Sequence, residues 1–480
     1  MKNFKFKISK FNQYLILLIS ILFLYLFYLS IPSLYDKGRV QKHLSDYILK
    51  EFNIDFSLSS QIRYSILPSP HIVIENVKIF NNFSSDLNEV SQIKKLKVFI
   101  SQKTLFESLF DEKKIKINRI LIEKANFIIK NNNLNYYNNF LDKKLSENEI
   151  KVIDSNFFYK DDNNETISIL YFSEINLQHL KGKLENNVIA HGEVFKLPFT
   201  LKLIKKFDSN KAKISNLKIK KLALEIDNIS EAKEEKTFGD NTVYINNIKL
   251  KSKYELDKDK ISFFSKESKS KNEVYTYNGN VSLSPFSLEL NINLPKLSKK
   301  EIFNFIIFFN EILKTNLLFN PSISASVKVD TNKIISGVIF DKFKIFLNLN
   351  NGKVDIDNSI LTSSKIGNLR TDYSSIYLKK NNLIFSGSFN FRVNNQSNFY
   401  KIFQISKKNR KPIKNIFFDI DMNFFNNSLI VKNIRIDEGD IISNDIFDNF
   451  LNEMNSVDLS NKNWIYIKRF TSKLIELYDG

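Results

Sequence analysis

Apolar and polar residues alternate with period two through most of this 480-residue chain, which commits it to β-strands with one apolar and one wet face. The clearest run is Phe286 to Leu294, where Phe286, Leu288, Leu290, Ile292 and Leu294 alternate with Ser287, Glu289, Asn291 and Asn293. Ile323, Ala325, Val327 and Val329 repeat it, as do Phe343, Ile345, Leu347 and Leu349, and Phe418, Ile420, Met422 and Phe424. One-sided alternation marks antiparallel strands, since parallel strands are covered on both faces and read as continuous apolar runs. Hairpin turns are expected at Asn350-Asn351-Gly352, at Asn131 to Asn133 and at Asn381-Asn382. Strand, polar turn and strand recur only loosely, without a fixed repeat signature.

A pattern of this kind needs apolar mass, and the chain has it. Hydrophobic residues make up 43% of the sequence, with 44 Phe and 19 Tyr, so disorder is excluded as the default. The formal charge is +19, but only Arg39, Arg63, Arg119, Arg370, Arg392, Arg410, Arg435 and Arg469 are arginine. Lysines scattered along alternating strands mark a solvated face rather than a reader of phosphate and guanine edges, so no nucleic-acid partner is expected. Positive charge still favours approach to anionic lipid headgroups. Without cysteine there is no disulfide, thiolate metal site or Cys nucleophile.

The N-terminus breaks the alternation. Lys2, Lys5, Lys7 and Lys10 precede an apolar run from Tyr14 to Ile31, interrupted only by Ser20 and Ser30. About 18 helical residues rise about 27 Å, close to the hydrocarbon thickness of a bilayer. Tyr14, Leu15, Leu17, Leu18, Leu22, Phe23, Leu26, Phe27 and Ile31 are the expected lipid-facing residues. The exit Tyr28-Leu29-Ser30-Ile31-Pro32 carries no small-x-small cleavage site, so the reading is an uncleaved anchor. The four lysines place the N-terminus in the cytoplasm and the remainder outside it. The rival span, Ile302 to Leu318, contains Asn304, Asn310, Glu311, Lys314 and Asn316, which are costly against lipid.

Helical spacing appears in three further places. Val40, Leu44, Tyr47, Ile48 and Phe52 share one face of a short amphipathic helix. Ser298-Lys299-Lys300-Glu301 is a capping box, with Leu297 and Ile302 as its hydrophobic staple, and it predicts a helix running to about Leu313. At the C-terminus Ile467, Phe470, Leu474 and Tyr478 share a face. The first of these needs a partner for its apolar face, and the other two read either as closing the end of a sheet or as ordinary core-packing helices.

From Ser33 to Phe140 the order of features resembles the N-terminal part of AsmA-family proteins: anchor, helix, strand, then Ile62-Arg63-Tyr64-Ser65-Ile66-Leu67-Pro68-Ser69-Pro70-His71-Ile72-Val73-Ile74. Leu67, Pro68 and Pro70 carry the specific part of the likeness. Lys95 to Ile100, Thr104 to Leu109, Ile115 to Ile129, Asn131 to Phe140 and Ile150 to Phe172 are similar to the modules that follow, and Gly279 to Leu294 more weakly. The chain departs from the family at Asn53 and Ser60, where glycines are common. The resemblance implies a mainly β fold with a few helices: one N-terminal transmembrane helix, then a long curved antiparallel β-sheet forming a groove, with short amphipathic helices at its ends. It further implies a single-pass protein of the bacterial inner membrane with a periplasmic body, whose partner is membrane lipid, phospholipid acyl chains lying in the groove. Phospholipid transport and outer-membrane assembly or homeostasis are the implied roles. The groove-lining candidates are Phe286, Leu288, Leu290, Ile292, Leu294, Ile323, Val327, Val329, Ile345, Leu347, Ile420 and Met422. The expected division is a tail over 1–13, the anchor over 14–31, an AsmA-like β-rich region over 34–297, a helical insertion over 298–318 and a second β-rich region over 319–480.

Catalytic signatures are not found. His43, His71, His179 and His191 form no close-spaced ligand pair, so no metal or other cofactor is expected. Asp355 and Asp357, like Asp419 and Asp421, fall two apart on the polar side of strands. Asp437-Glu438-Gly439-Asp440 lacks the spacing of a calcium loop and reads as a tight turn. No phosphate loop, nucleophile elbow or dinucleotide fingerprint occurs, so the reading is non-enzymatic. Two other readings stand beside the lipid groove. One is an assembly factor that affects protein targeting or insertion into the membrane through envelope protein partners, without carrying lipid. The other is a tethered glycan or adhesion module with aromatics on its loops.

Overall fold

A computed structural model describes residues 10–478, apart from 53–55, 58–61, 82–87, 106–113, 131–132, 162, 208–211, 234–235, 246–247, 266–267, 271–272, 316, 336–338, 381, 440, 443–444 and 458–463. Lys2, Lys5 and Lys7 lie outside the described residues, as do Asn53, Ser60, Asn131 and Asn381. The described chain is mainly β with seven α-helices: α1 (Lys10–Ser30), α2 (Lys37–Phe52), α3 (Leu134–Asp142), α4 (Lys299–Leu313), α5 (Gln396–Ile402), α6 (Asp445–Ser456) and α7 (Trp464–Leu477). Two compact units are formed. The first comprises Met1–Lys160, Ser168–Val194 and Pro198–Leu217, and the second Asp161–Ile167, Phe195–Leu197 and Lys218–Gly480.

In the first unit the strands His71–Asn81, Asn88–Ile100 and Ile117–Ile129 pair antiparallel in chain order. Glu149–Lys160 then joins parallel to Ile117–Ile129. A parallel neighbour cannot be reached by a tight turn, and the connection contains α3. Alternation is broken in register across all four strands, beside Asn76, Lys94, Lys124 and Asp154; Asn76, Lys124 and Asp154 take left-handed backbone angles. Each strand is kinked here without a shift of register, and the inward position moves by three residues instead of two, so Ile74 and Val77, Leu96 and Ile93, and Ile122 and Ala125 all face the core. Ser155 sits in this row, fully buried; its hydroxyl accepts from the Ala125 N–H at 3.0 Å and donates to the Ile153 carbonyl at 2.8 Å.

Over that inward face lies α2, whose Val40, Leu44 and Ile48 are buried. Only a void of about 20 Å³ remains between Ile48 and the sheet residues Val77, Ile79, Ile93, Leu96, Ile120, Ile122 and Ile150. Around Leu44 and Ile48 the apolar face is covered by the protein itself.

The second unit carries the longer run of neighbours. From Leu224–Lys233 the strands pair in order through Lys236–Ile245, Ile248–Asp257, Lys260–Ser265 and Glu273–Leu283 to Phe286–Leu294. Ser324–Thr331 is parallel to Phe286–Leu294, with α4 in the connection, and the order then continues antiparallel to Ser428–Ile436. The sheet is therefore mixed, with antiparallel pairing dominant. At Asn351 and Gly352 φ is 49° and 68°, the positive pair that a tight hairpin between Lys342–Asn350 and Lys353–Asp355 requires.

The capping box at the start of α4 is formed as expected: the Glu301 N–H donates to Ser298 Oγ at 3.3 Å and the Ser298 N–H to Glu301 Oε2 at 2.8 Å. Ile302 and Phe305 of α4 pack on Ile248, Tyr275, Leu294 and Leu297. At the far end α5, α6 and α7 place Phe399, Phe447, Leu474 and Ile475 against Phe391, Ile416, Ile434 and Ile436. Phe470, Leu474 and Tyr478 join this cluster, while Ile467 is exposed.

Candidate functional site

Register decides which side chains share a face, because residues directly opposite in neighbouring strands point the same way. Leu290 pairs with Gly279 on one side and Val327 on the other, Val327 pairs with Leu347, and Val329 with Ile345. Further on, Ile376 pairs with Phe385, Phe385 with Met422, and Met422 with Leu429. In the other direction, Val281 pairs with Ile261 and Ile261 with Leu256. Aliphatic and aromatic side chains thus form one apolar face across the second unit.

That face is not packed like the core beneath α2. Phe286, Leu288, Leu290, Ile292, Val327, Val329, Ile345, Leu347, Ile420 and Met422 are all half-buried, each keeping some of its surface open. Leu294 and Ile323 are buried. Leu294 lies under α4, whereas Ile323 precedes its strand. Eleven of the twelve candidates therefore fall on one side of the sheet, with Leu294 closed off, and Ile323 is buried outside the strand.

Several contributors escaped the sequence pattern. Tyr254, Phe263 and Tyr277 belong to the face by register, but Phe263-Phe264 are adjacent and hide the period. Glycines hide it too. Gly239 and Gly279 interrupt apolar positions because a Cβ there would collide with the rings of Tyr254 and Phe263, at 2.4 and 2.7 Å, which lie across the glycine backbone. At Gly387 the ring of Phe385 leans in similarly, and Phe389 stacks on Phe418 with centroids 5.3 Å apart.

The opposite face is wet and internally paired. Asp421 accepts from Ser386 at 2.6 Å and pairs with Lys432; Asp419 accepts from Ser388 and Asn433, each at 2.7 Å. Partial burial would raise the Asp421 carboxyl, but the Lys432 ammonium and the Ser386 hydroxyl hold it below the usual carboxylate range. Asp355 pairs with Lys353 at 2.8 Å, and Asp357 accepts from the Ser374 N–H. Asp437, just past the strand Ser428–Ile436, accepts from the Lys414 and Asn415 N–H groups at the start of the neighbouring strand, at 2.9 and 2.7 Å. The histidines are dispersed: His71 stacks on Phe99 with centroids 4.9 Å apart, His179 bonds Asn186 at 3.0 Å and His191 bonds Thr200 at 3.2 Å.

The N-terminal helix is long and apolar enough to cross a membrane. Tyr14, Leu15, Leu17, Leu18, Leu22, Phe23, Leu26 and Phe27 are all exposed along α1, which begins at Lys10, so they have no protein core to serve. Ile31 differs. It lies past the end of α1, in a short turn, and is buried against the first unit. Leu67, Pro68 and Pro70 make the turn between the paired strands Ile62–Ser65 and His71–Asn81, with Leu67 projecting into solvent.

No family model and no curated protein matches the chain. Among solved structures, the sex pheromone staph-cAM373 precursor aligns over 68% of this chain and 92% of its own at 8% identity, with a TM-score of 0.11. A likeness that low says nothing about fold or function.

Proposed function

We propose that the chain is a non-enzymatic, AsmA-like protein of the bacterial inner membrane, held by α1 with its body in the periplasm, and that it carries phospholipid acyl chains on the apolar face of the second unit. The observation that carries this reading is the half-buried state of that face between α4 and the C-terminal helices. Folding leaves its hydrocarbon side chains only partly desolvated, and acyl chains complete the process. At about 0.8 kcal/mol for each buried methylene, a single chain is retained by several kcal/mol without a polar contact. Headgroups stay in water, so movement along the face breaks no hydrogen bond. Exposure of α1 supports the anchor, and the lysines before it support a cytoplasmic N-terminus. Service to outer-membrane assembly or homeostasis follows from the location and the cargo.

Native mass spectrometry of the gently extracted full chain tests this. Phospholipid is expected to co-purify with the wild type. A Leu290→Asp, Val327→Asp, Leu347→Asp variant is expected to lose most of it while its far-ultraviolet circular dichroism is unchanged. A wild-type chain free of lipid overturns the proposal. The alternative, a factor for membrane-protein targeting or insertion that works through protein contacts, is favoured by the exposed Phe303, Ile306 and Ile307 on α4. Crosslinking that recovers envelope proteins and never lipid would establish it.

A further inference from the structure

The last turns of α1 are tied to the first unit by hydrogen bonds. The Tyr28 hydroxyl donates to the Gln102 carbonyl at 2.5 Å, the Tyr25 hydroxyl to Gln102 Oε1 at 3.4 Å, and the Tyr64 hydroxyl to the Leu29 carbonyl. The Tyr64 contact holds the 62–72 hairpin at the level where an apolar helix leaves the hydrocarbon, the depth at which tyrosines gather in membrane proteins. A cavity of about 330 Å³ opens in this corner. One part of its lining is polar, with Ser33, Lys37, Arg63 and Tyr64, and another is apolar, with Val40 and Ile72. Burial pushes the Tyr64 phenol well above its ordinary range, so it remains a donor at any physiological pH. Arg63 is paired with Glu75, which steadies the guanidinium on one side.

We propose that this cavity is a binding site for the phosphate group of a phospholipid, set at the foot of the anchor where lipid leaves the leaflet for the body. The inference rests on reading α1 as a membrane span. Lys37 supplies a point charge and Arg63 a planar fork, the two ways in which side chains hold phosphate oxygens. Free inorganic phosphate shares that chemistry, but it has no use for the apolar lining or for a cavity of ligand size. A glycerophosphate with the first methylenes of its tails has both the polarities that the lining offers.

The test uses the full chain in phosphatidylcholine nanodiscs doped with a photoactivatable phospholipid, or with the matching photoactivatable diacylglycerol that lacks phosphate. Labelled peptides are read by mass spectrometry. Phospholipid is expected to label residues 62–72 far above diacylglycerol, and excess inorganic phosphate to leave that labelling unchanged. Lys37→Gln with Arg63→Gln should cut it by about tenfold, the loss of one or two charge-assisted contacts. Lys37 and Arg63 are exposed, so their loss leaves the fold intact. Glu75→Gln, which releases Arg63, should raise the labelling, a gain that misfolding cannot mimic. Equal labelling by diacylglycerol, indifference to the double substitution or displacement by inorganic phosphate each overturns the site. Labelling around Leu290 is read in the same sample. If it persists while labelling at 62–72 fails, only the headgroup site falls; the reverse removes the apolar-face reading alone.

Discussion

Ser155 shows how much depends on one hydroxyl. A kink leaves ladder groups unpaired, and in a sheet buried under α2 they must be satisfied within the protein. The Ser155 side chain takes the Ala125 N–H and returns its own proton to the Ile153 carbonyl. Ser155→Ala removes both bonds with almost no change in volume and strands a buried donor. The expected cost is about 1–3 kcal/mol. Denaturant unfolding of the detergent-solubilised chain measures it, with faster hydrogen exchange at Ala125 as the local sign. Unchanged stability would mean that the kink is satisfied some other way. The paired carboxylates act at the same scale. Asp419 and Asp421 are spaced as a general acid and base would be, yet each oxygen is engaged by a cross-strand hydroxyl, amide or ammonium, which leaves them a structural task.

Among the elements, one alternating pattern has two outcomes, set by whether a helix lies over it. Leu44 in α2 is fully buried against the first sheet, whereas Leu290 in the second unit is half-buried. Leu44→Ala should therefore cost about 2–5 kcal/mol, as cavity-forming core truncations do. Leu290→Ala should cost less, about 1–2 kcal/mol, because part of its surface stays in water in the folded chain. Equal losses at the two positions in thermal melts would mean that the second face is packed as tightly as the first. Much of this level was legible in the residues. The capping box named the start of α4, the 3.6-residue spacing named α2, and the Asn-Gly turn named its hairpin. The row of kinks was not legible, since Asn76, Lys124 and Asp154 are ordinary polar residues with no sequence mark for their left-handed angles. Nor were the parallel pairings of Ile117–Ile129 with Glu149–Lys160 and of Phe286–Leu294 with Ser324–Thr331, because a helix between strands does not reveal which way the chain returns. The cavity beside α1 was equally hidden: Lys37 and Arg63 are brought together by the tyrosine contacts to the helix end, and no sequence period links them.

For the whole molecule, the distribution of coverings matters more than any single contact. Helices close the apolar face of the first unit and the far end of the second, and between α4 and the C-terminal cluster of the second unit the face keeps its solvent-facing surface. A chain built only as a scaffold gains nothing from leaving aliphatic residues half-covered over so many adjacent strands, whereas a carrier of fatty tails needs them so. Strand parity makes the distinction testable residue by residue. A photocrosslinking amino acid placed at Leu290 or Leu347, and in separate chains at the adjacent Asn291 or Asn348, samples opposite faces of the same strands in living cells. Phospholipid adducts are expected at Leu290 and Leu347 and not at Asn291 or Asn348. Adducts at neither pair, or at both pairs equally, would contradict a lipid-carrying face.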